Sequence, residues 1–533
     1  MISTKDIKLK FLGITPVWND QTGSLSPQQL VALSGLLTYS GKSIGAILEE
    51  LRREGKDVDK KVAAILRQSS LKGHASMATT PALSFSYEAS KFIDSALTGI
   101  VFASAIMASG RRTDTVPEDI VYPQAIAKDL RAREIYKIAS EKNIETLNRL
   151  LAEGVGKDEA SKILQYGIYG TGIIQFSVES LATLAREYDA EKEWMPEDVG
   201  FLIGAIEKEL KGAGIDLLYA TRLAAPRNNY PYPNIFKDPE KTNLARAAAD
   251  LAGGDEFKII TADFVLSAGL EQRLKSLEQK IGAAVQSKEN LMANWQEILS
   301  ERQQICRDYG PSASIKIFSS SAWRVWGDKK RHRTVPMAVD SVYESVRRAA
   351  EVFSARDAEI RAKQLGHRGI DRINRVFSIP PAVLANKEFL YAYLDAARSS
   401  FAAYQELLKI GIAPRDAVFT VPRGLRIDIV QDYNLYNLIA GYYPLRICST
   451  AEEELRRASI KEVIAIKNLL QERKMEWLAR HIVPKCHCAG FCLERDCCGM
   501  IKSLTKDYDG DFHRSMHADL EKKFQTISNE IND

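Results

Sequence analysis

Residues 331–336 read Arg-His-Arg-Thr-Val-Pro, and residues 111–117 read Arg-Arg-Thr-Asp-Thr-Val-Pro. Each stretch follows an apolar, small-residue run, FASAIMASG before the first and FSSSAWRVWG shortly before the second. A strongly helical segment lies downstream of each. Both helical segments end in glycine-bearing turns, EGVGKDEA at 153–160 and KIGIAPRDA at 409–417. An alternating stretch comes next, GIIQFSVES at 172–180 and GLRIDIVQD at 424–432. The same order at low identity reads as a divergent internal duplication, with the two arginine turns as counterparts.

The join falls at 225–245, where four prolines interrupt both helix and strand. We divide the chain into a first copy at 1–225, a linker at 226–255, a second copy at 256–480 and a tail at 481–533. Apolar residues at 270, 274, 277, 281, 284, 291, 295 and 298 give a helical seam, expected as a long inserted helix or helical hairpin in the second copy. Alternation predicts strands at Ala82–Tyr87, Ile173–Val178, Lys258–Asp263, Ser314–Phe318 and Leu425–Val430. The class is α+β and helix-rich.

Composition limits the chemistry. The chain has 533 residues, 45% hydrophobic and 27% charged, which is globular rather than disordered. Its 73 lysines and arginines against 69 acids leave a net charge of only +4. Nucleic-acid binding through 329–333 is therefore the weakest reading. No run reaches the ~18 apolar residues of a membrane span, and Met1–Lys10 lacks a signal-peptide core. A cytoplasmic protein without a membrane partner is expected. Five of the seven cysteines cluster at Cys486, Cys488, Cys492, Cys497 and Cys498. They suit a tetrahedral zinc or remain reduced thiols.

Local anion sites stand out. Lys329-Lys330-Arg331-His332-Arg333 concentrates cations that repel one another unless an anion sits among them; the alternative is a solvated basic turn. Arg446, between Leu445 and Ile447, needs a carboxylate or a phosphate. Gly73-His74-Ala75-Ser76 stands just before a strand.

These elements together resemble the flavin-dependent thymidylate synthase family. That family carries a Gly-His-x-Ser/Thr turn, an Arg-His-Arg motif followed by serine, and a late Leu-Arg helix. The resemblance covers most of the chain as two tandem copies of a helix-flanked sheet domain, with a cysteine-bearing tail. It implies FAD as cofactor, NADPH as reductant, and transfer of a methylene group from methylenetetrahydrofolate to C5 of dUMP. It further implies catalytic roles for Arg331 and Ser341. Flavin or nucleotide contacts fall to His74, Arg111, Arg112, Glu118, Arg331, His332 and Arg333, and dUMP contacts to Ser341 and Arg446. A homodimer would supply the four domains of the family's tetramer.

Departures accompany the match. Val339 and Tyr343 replace the glutamate and arginine that flank the family's serine. The late Asn-x-Arg-Ser-Leu segment reads Leu435-Tyr436-Asn437-Leu438-Ile439 in one half and Val178-Glu179-Ser180-Leu181 in the other. The first half keeps the histidine turn and the second keeps the Arg-His-Arg loop. A composite site follows from that split. The rival reading is a degenerate fusion that keeps the fold as a nucleotide- or flavin-binding or regulatory protein.

Overall fold

The computed structural model describes residues 1–20, 23–108, 114–226, 232–265, 267–492, 494, 498, 519–527 and 529. The chain runs through β1 (Lys8–Thr15), three helices between 27 and 68, β2 (Ala82–Ser90), α1 (Lys91–Leu97), β3 (Ala103–Met107), α2 (Leu130–Ala152), β4 (Tyr169–Ser177) and α3 (Val178–Ala190). It continues with α4 (Leu244–Ala252), β5 (Phe257–Phe264), α5 (Ala268–Ala284), α6 (Lys288–Tyr309), β6 (Ala313–Ala322), α7 (Trp323–Lys329) and β7 (Met337–Val339). Then come α8 (Val342–Ala355), α9 (Lys387–Lys409), β8 (Arg426–Asn434) and α10 (Glu453–Glu472). The five strands predicted from alternation are present as β2, β4, β5, β6 and β8. Among the described residues no single helix is long and apolar enough to cross a membrane.

Two compact units form. One holds Met1–Lys241 with Ser341–Leu425, the other Thr242–Asp340 with Arg426–Asp533. The first contains an antiparallel sheet in the order β1-β2-β4-β3. The second contains an antiparallel sheet in the order β5-β6-β8-β7. The two orders are the same, and so is the register. Ala82 faces Ser177 and Ser90 faces Tyr169, while Ser314 faces Asn434 and Ala322 faces Arg426. Offsets of 232 and 257 thus carry one pairing onto the other. The edge strands obey them too: Met107 faces Gly172 and Val339 faces Ile429.

This register corrects two sequence expectations. Thr334-Val335-Pro336 precedes edge strand β7, whereas Thr115-Val116-Pro117 follows edge strand β3. The two arginine turns are therefore not counterparts; the residue level with His332 is Ile100. The offset rises from 232 to 257 because the second stretch carries 25 more residues between edge strand and next bridge, including α8. Of the two forms expected for the seam the structure has the hairpin, α5 and α6, broken at Ser287, whose hydroxyl caps α6, but it is not an insertion. It fills the place between β5 and β6 that the helices at 27–68 fill between β1 and β2. Leu270, Leu274, Leu277, Ile281, Leu291 and Ile298 of its seam are buried as predicted.

In the first unit α2 packs on α9. Each has 23 residues. Asp129 and Asn386 cap their first turns, and Gly154 and Gly411, at φ +86° and +90°, end them in the left-handed conformation that glycine adopts without a Cβ penalty. Tyr136 and Tyr393 occupy the same turn. Their hydroxyls donate to Val121 O (2.9 Å) and Ser378 O (3.0 Å), again 257 apart. Gly167 makes room for the first: a Cβ there would lie 2.3 Å from the Tyr136 hydroxyl. In the second unit one sheet face packs Ile315, Ile317 and Tyr433 into the main core with α5, α6 and α10. The other face puts Phe318 and Val430 under Ala245, Ala248 and Ala252 of α4.

Candidate functional site

The Arg331–Arg333 loop leaves the C-terminus of α7 as a tight turn, with His332 N donating to Lys329 O and Val335 N to His332 O. Asn437 pins the loop from the far side. Its side-chain oxygen accepts from the Thr334 hydroxyl (3.0 Å) and its amide donates to Thr334 O (3.1 Å). Asn437 opens a π-helical turn, Asn437–Gly441, which lets the chain swing from β8 to the short helix Tyr443–Arg446. That helix brings Arg446 to the loop, where its Nε donates to His332 Nε2 at 2.7 Å and its Nη2 to Asp328 O at 3.4 Å.

His332 is half-buried, edge-on to Tyr442 with ring centroids 4.8 Å apart. Burial, then the Arg446 guanidinium, push its pKa down to about 4. The ring is neutral near pH 7. Nε2 accepts from Arg446, so the ring proton sits on Nδ1. Arg331 and Arg333 are exposed. Among the described residues the Arg331 guanidinium pairs with Asp328, at 3.8 Å. Among the described residues no carboxylate pairs with Arg333 or Arg446. The internal salt bridge open to Arg446 from sequence is absent there. Arg446 sits on the neutral imidazole and Arg333 is the next residue along the loop; guanidinium forks of this kind match phosphate oxygens.

Ser341, expected at the nucleotide, is fully buried. Its hydroxyl caps α8 by accepting from Tyr343 N (3.3 Å) and donates to Lys237 O (2.6 Å). The neighbouring Asp340 is held by Asn243 and both faces of the Arg246 fork. The strand register also reads the late segment as Asn434-Leu435-Tyr436-Asn437-Leu438, so an asparagine does head it. The signal lay one residue upstream of the stretch quoted from sequence.

In the first unit, His74 is exposed in the turn after Gly73, at φ +103°, and Glu118 is exposed as well. Arg111 and Arg112 lie outside the described residues. The level of Tyr436 is taken by Glu179, fully buried and gripped by Arg222 through Nε (2.6 Å) and Nη2 (2.8 Å). Arg222 also donates to Ser70 O, in the turn leading to His74. The charges are paired within the protein.

In the tail, Cys486 and Cys488 are buried on the helix Lys485–Ala489, Cys492 is half-buried and Cys498 exposed. Cys497 lies outside the described residues. Burial pushes the Cys486 and Cys488 thiols up, which favours the protonated form. Among the described residues no three potential ligands converge on a metal position, so the zinc expectation finds no support.

Several known proteins share parts of this sequence. A flavin-dependent thymidylate synthase of Pyrococcus abyssi is 29% identical over 126 residues, 24% of this chain and 51% of that protein. One of Aeropyrum pernix is 37% identical over 82 residues, 15% of this chain and 25% of that protein. The chain spans about half the length of the first of these relatives and a quarter of the second. Among solved structures, a UMP/dUMP methylase PolB from Streptomyces cacaoi bound with 5-Br dUMP aligns with TM-score 0.33 and 12% identity, over 41% of this chain and 96% of that one. The family model described as thymidylate synthase complementing protein (Thy1) matches residues 22–193 and 317–469, each span holding one central strand pair and its following helix. With well over half of its residues matched, the chain belongs to that family.

Proposed function

We propose that the chain is a flavin-dependent thymidylate synthase-like enzyme that reductively methylates dUMP, with methylenetetrahydrofolate as carbon donor and NADPH as reductant. The observation that carries this reading is the Arg446–His332 pair, with Arg333 next in the loop and paired to no carboxylate among the described residues. Arg331, Arg333 and Arg446 would hold phosphate oxygens of the nucleotide or of FAD, and the His332 Nδ1–H would donate to a carbonyl or phosphate oxygen. Bound flavin would supply hydride transfer. The neutral imidazole keeps the site from carrying a fourth positive charge that would repel its neighbours. Ser341 in this reading fixes the start of α8 and touches no substrate.

The shared strand order and the constant offsets support two tandem copies of one sheet domain, and with them a homodimer carrying four such domains. Specialisation would follow. The second copy keeps the open cationic loop, while the first closes the corresponding level with Glu179–Arg222. That closed pair also favours the second reading, a fusion that binds flavin or nucleotide without turnover.

The absorption spectrum of the purified chain tests both. Flavin bands that shift on adding dUMP support the enzyme. Flavin bands indifferent to dUMP support the binder. A colourless protein that takes up neither flavin nor dUMP removes both.

A further inference from the structure

The core beneath the Arg331–Arg333 loop is polar where the same level of the first sheet is apolar. The offsets place Lys329 level with Leu97, Gln431 with Ile174 and Tyr433 with Phe176. All six are buried at 2% exposure or less. The Lys329 ammonium donates to Ser319 Oγ (2.7 Å) and lies 3.7 Å from Glu462 Oε1. Glu462, on α10, accepts from the Tyr443 hydroxyl at 3.0 Å. Tyr443 begins the short helix that ends at Arg446, and its ring meets Tyr442 edge-on with centroids 5.1 Å apart; Tyr442 is the edge partner of His332. A chain of contacts thus runs from the pair to both sides of the loop. Lys329 is the last residue of α7, and its carbonyl receives His332 N.

Burying an ammonium and a carboxylate costs more than burying a leucine, and replacing such pairs with apolar residues is often neutral or stabilising. Leu97 shows that this fold accepts the apolar solution at this place. We propose that Lys329 and Glu462 are positioning residues: they fix the end of α7 and the Tyr443–Arg446 helix so that His332 and Arg446 meet. This rests on the reading of that loop as the nucleotide or flavin site. The groups facing the pair are Glu454 on α10 and Glu256 beside β5; those facing His332 are Arg446 and Asp328.

The test is titration of the His332 ring by nitrogen NMR in the full chain, with the signal assigned through His332→Gln. In the wild-type protein the ring stays neutral down to about pH 4. The double variant Lys329→Leu/Glu462→Leu removes both charges of the pair. It is expected to fold and to raise the protonation constant of His332 about tenfold or more, as the ring gains water and loses Arg446. An unmoved titration in a folded double variant overturns the proposal. Should that variant fail to fold, Ser319→Ala removes only the hydroxyl that holds Lys329. It is expected to raise the constant about threefold, and no change there overturns the proposal equally. Neither readout needs a ligand. If the wild-type chain takes up neither flavin nor dUMP, the functional reading falls while the titration still decides the role of the pair.

Discussion

Asn143 of α2 and Ser400 of α9 stand 257 positions apart, at the same turn of two helices of equal length, and the Asn143 amide donates to the Ser400 hydroxyl at 2.9 Å. A contact between a position and its own counterpart is the mark of a two-fold interface. The bridge between Gln165 and Pro422, also 257 apart, repeats it. The α2–α9 packing therefore follows a two-fold pattern of contacts within the first unit.

Both partners are buried, and Asn143 also donates to Gln165 (3.2 Å). Asn143→Ala should cost about 1–3 kcal/mol, because it strands Ser400 and Gln165. Ser400→Ala should cost a similar amount. The double variant should cost less than the sum by about 0.5 kcal/mol or more. Urea unfolding of the four proteins measures this; strict additivity would mean the contact carries no coupling.

His332 should make stability depend on pH in one direction. Its folded pKa of about 4 lies below the ordinary 6.5, so the unfolded chain binds the proton first as pH falls. The contribution is intact above 6.5 and is lost through the window from 6.5 to 4. Between pH 7 and 5 that loss is about 2 kcal/mol. Asp198 and Asp416, each pushed up to about 7 by burial, act in the opposite sense. The difference between wild type and His332→Gln isolates the histidine and should narrow by that amount toward pH 5.

Arg333→Ala should weaken dUMP or flavin binding roughly 10–100-fold, the worth of one charged hydrogen bond of about 1.5–3 kcal/mol, while Tm stays nearly constant. Arg333 is exposed, so its removal leaves no cavity. Binding titrations at two salt concentrations should show a shallower salt dependence in the variant. Equal affinity of the two proteins would assign Arg333 to solvent.

Glu179→Ala should destabilise by about 3–5 kcal/mol, since Arg222, with no exposed surface, keeps its charge without a carboxylate. Replacing both partners, as Glu179→Met/Arg222→Met, should recover only part of that loss, because the buried Arg186, 3.6 Å from Glu179, still loses its carboxylate. Differential scanning calorimetry of the three proteins compares them directly.

Much of this was legible in the residues. Alternation located five of the six strands that have eight or more residues; β1, eight residues at Lys8–Thr15, was missed. The helix ends were marked by glycine at 154 and 411. Strands β3 and β7 escaped, being five and three residues long and partly exposed at the sheet edges. A repeated order of elements was visible, yet its register was misread. Two Thr-Val-Pro tripeptides lie on opposite sides of an edge strand, and only the pairing of strands fixes which residues are level. The Arg446–His332 contact was not legible at all, because 114 residues separate the partners. Lys329 looked like one more cation of a basic turn; its burial is a property of the sheet packed beneath it.

The discontinuity of the compact units sets a timetable for synthesis. The first unit needs Ser341–Leu425 as well as Met1–Lys241. A nascent chain that has just released Lys241 from the ribosome holds α2 with its seam uncovered, and 184 further residues must be translated before Leu425 is made. At about 5–20 residues per second that wait is roughly 10–40 s. During it the face of α2 that later meets α9 is open to a neighbouring nascent chain on the same polysome. Slow codons between 242 and 340 would lengthen that interval, and a holdase that shields α2 would serve this protein more than one whose domains are finished in the order they are made.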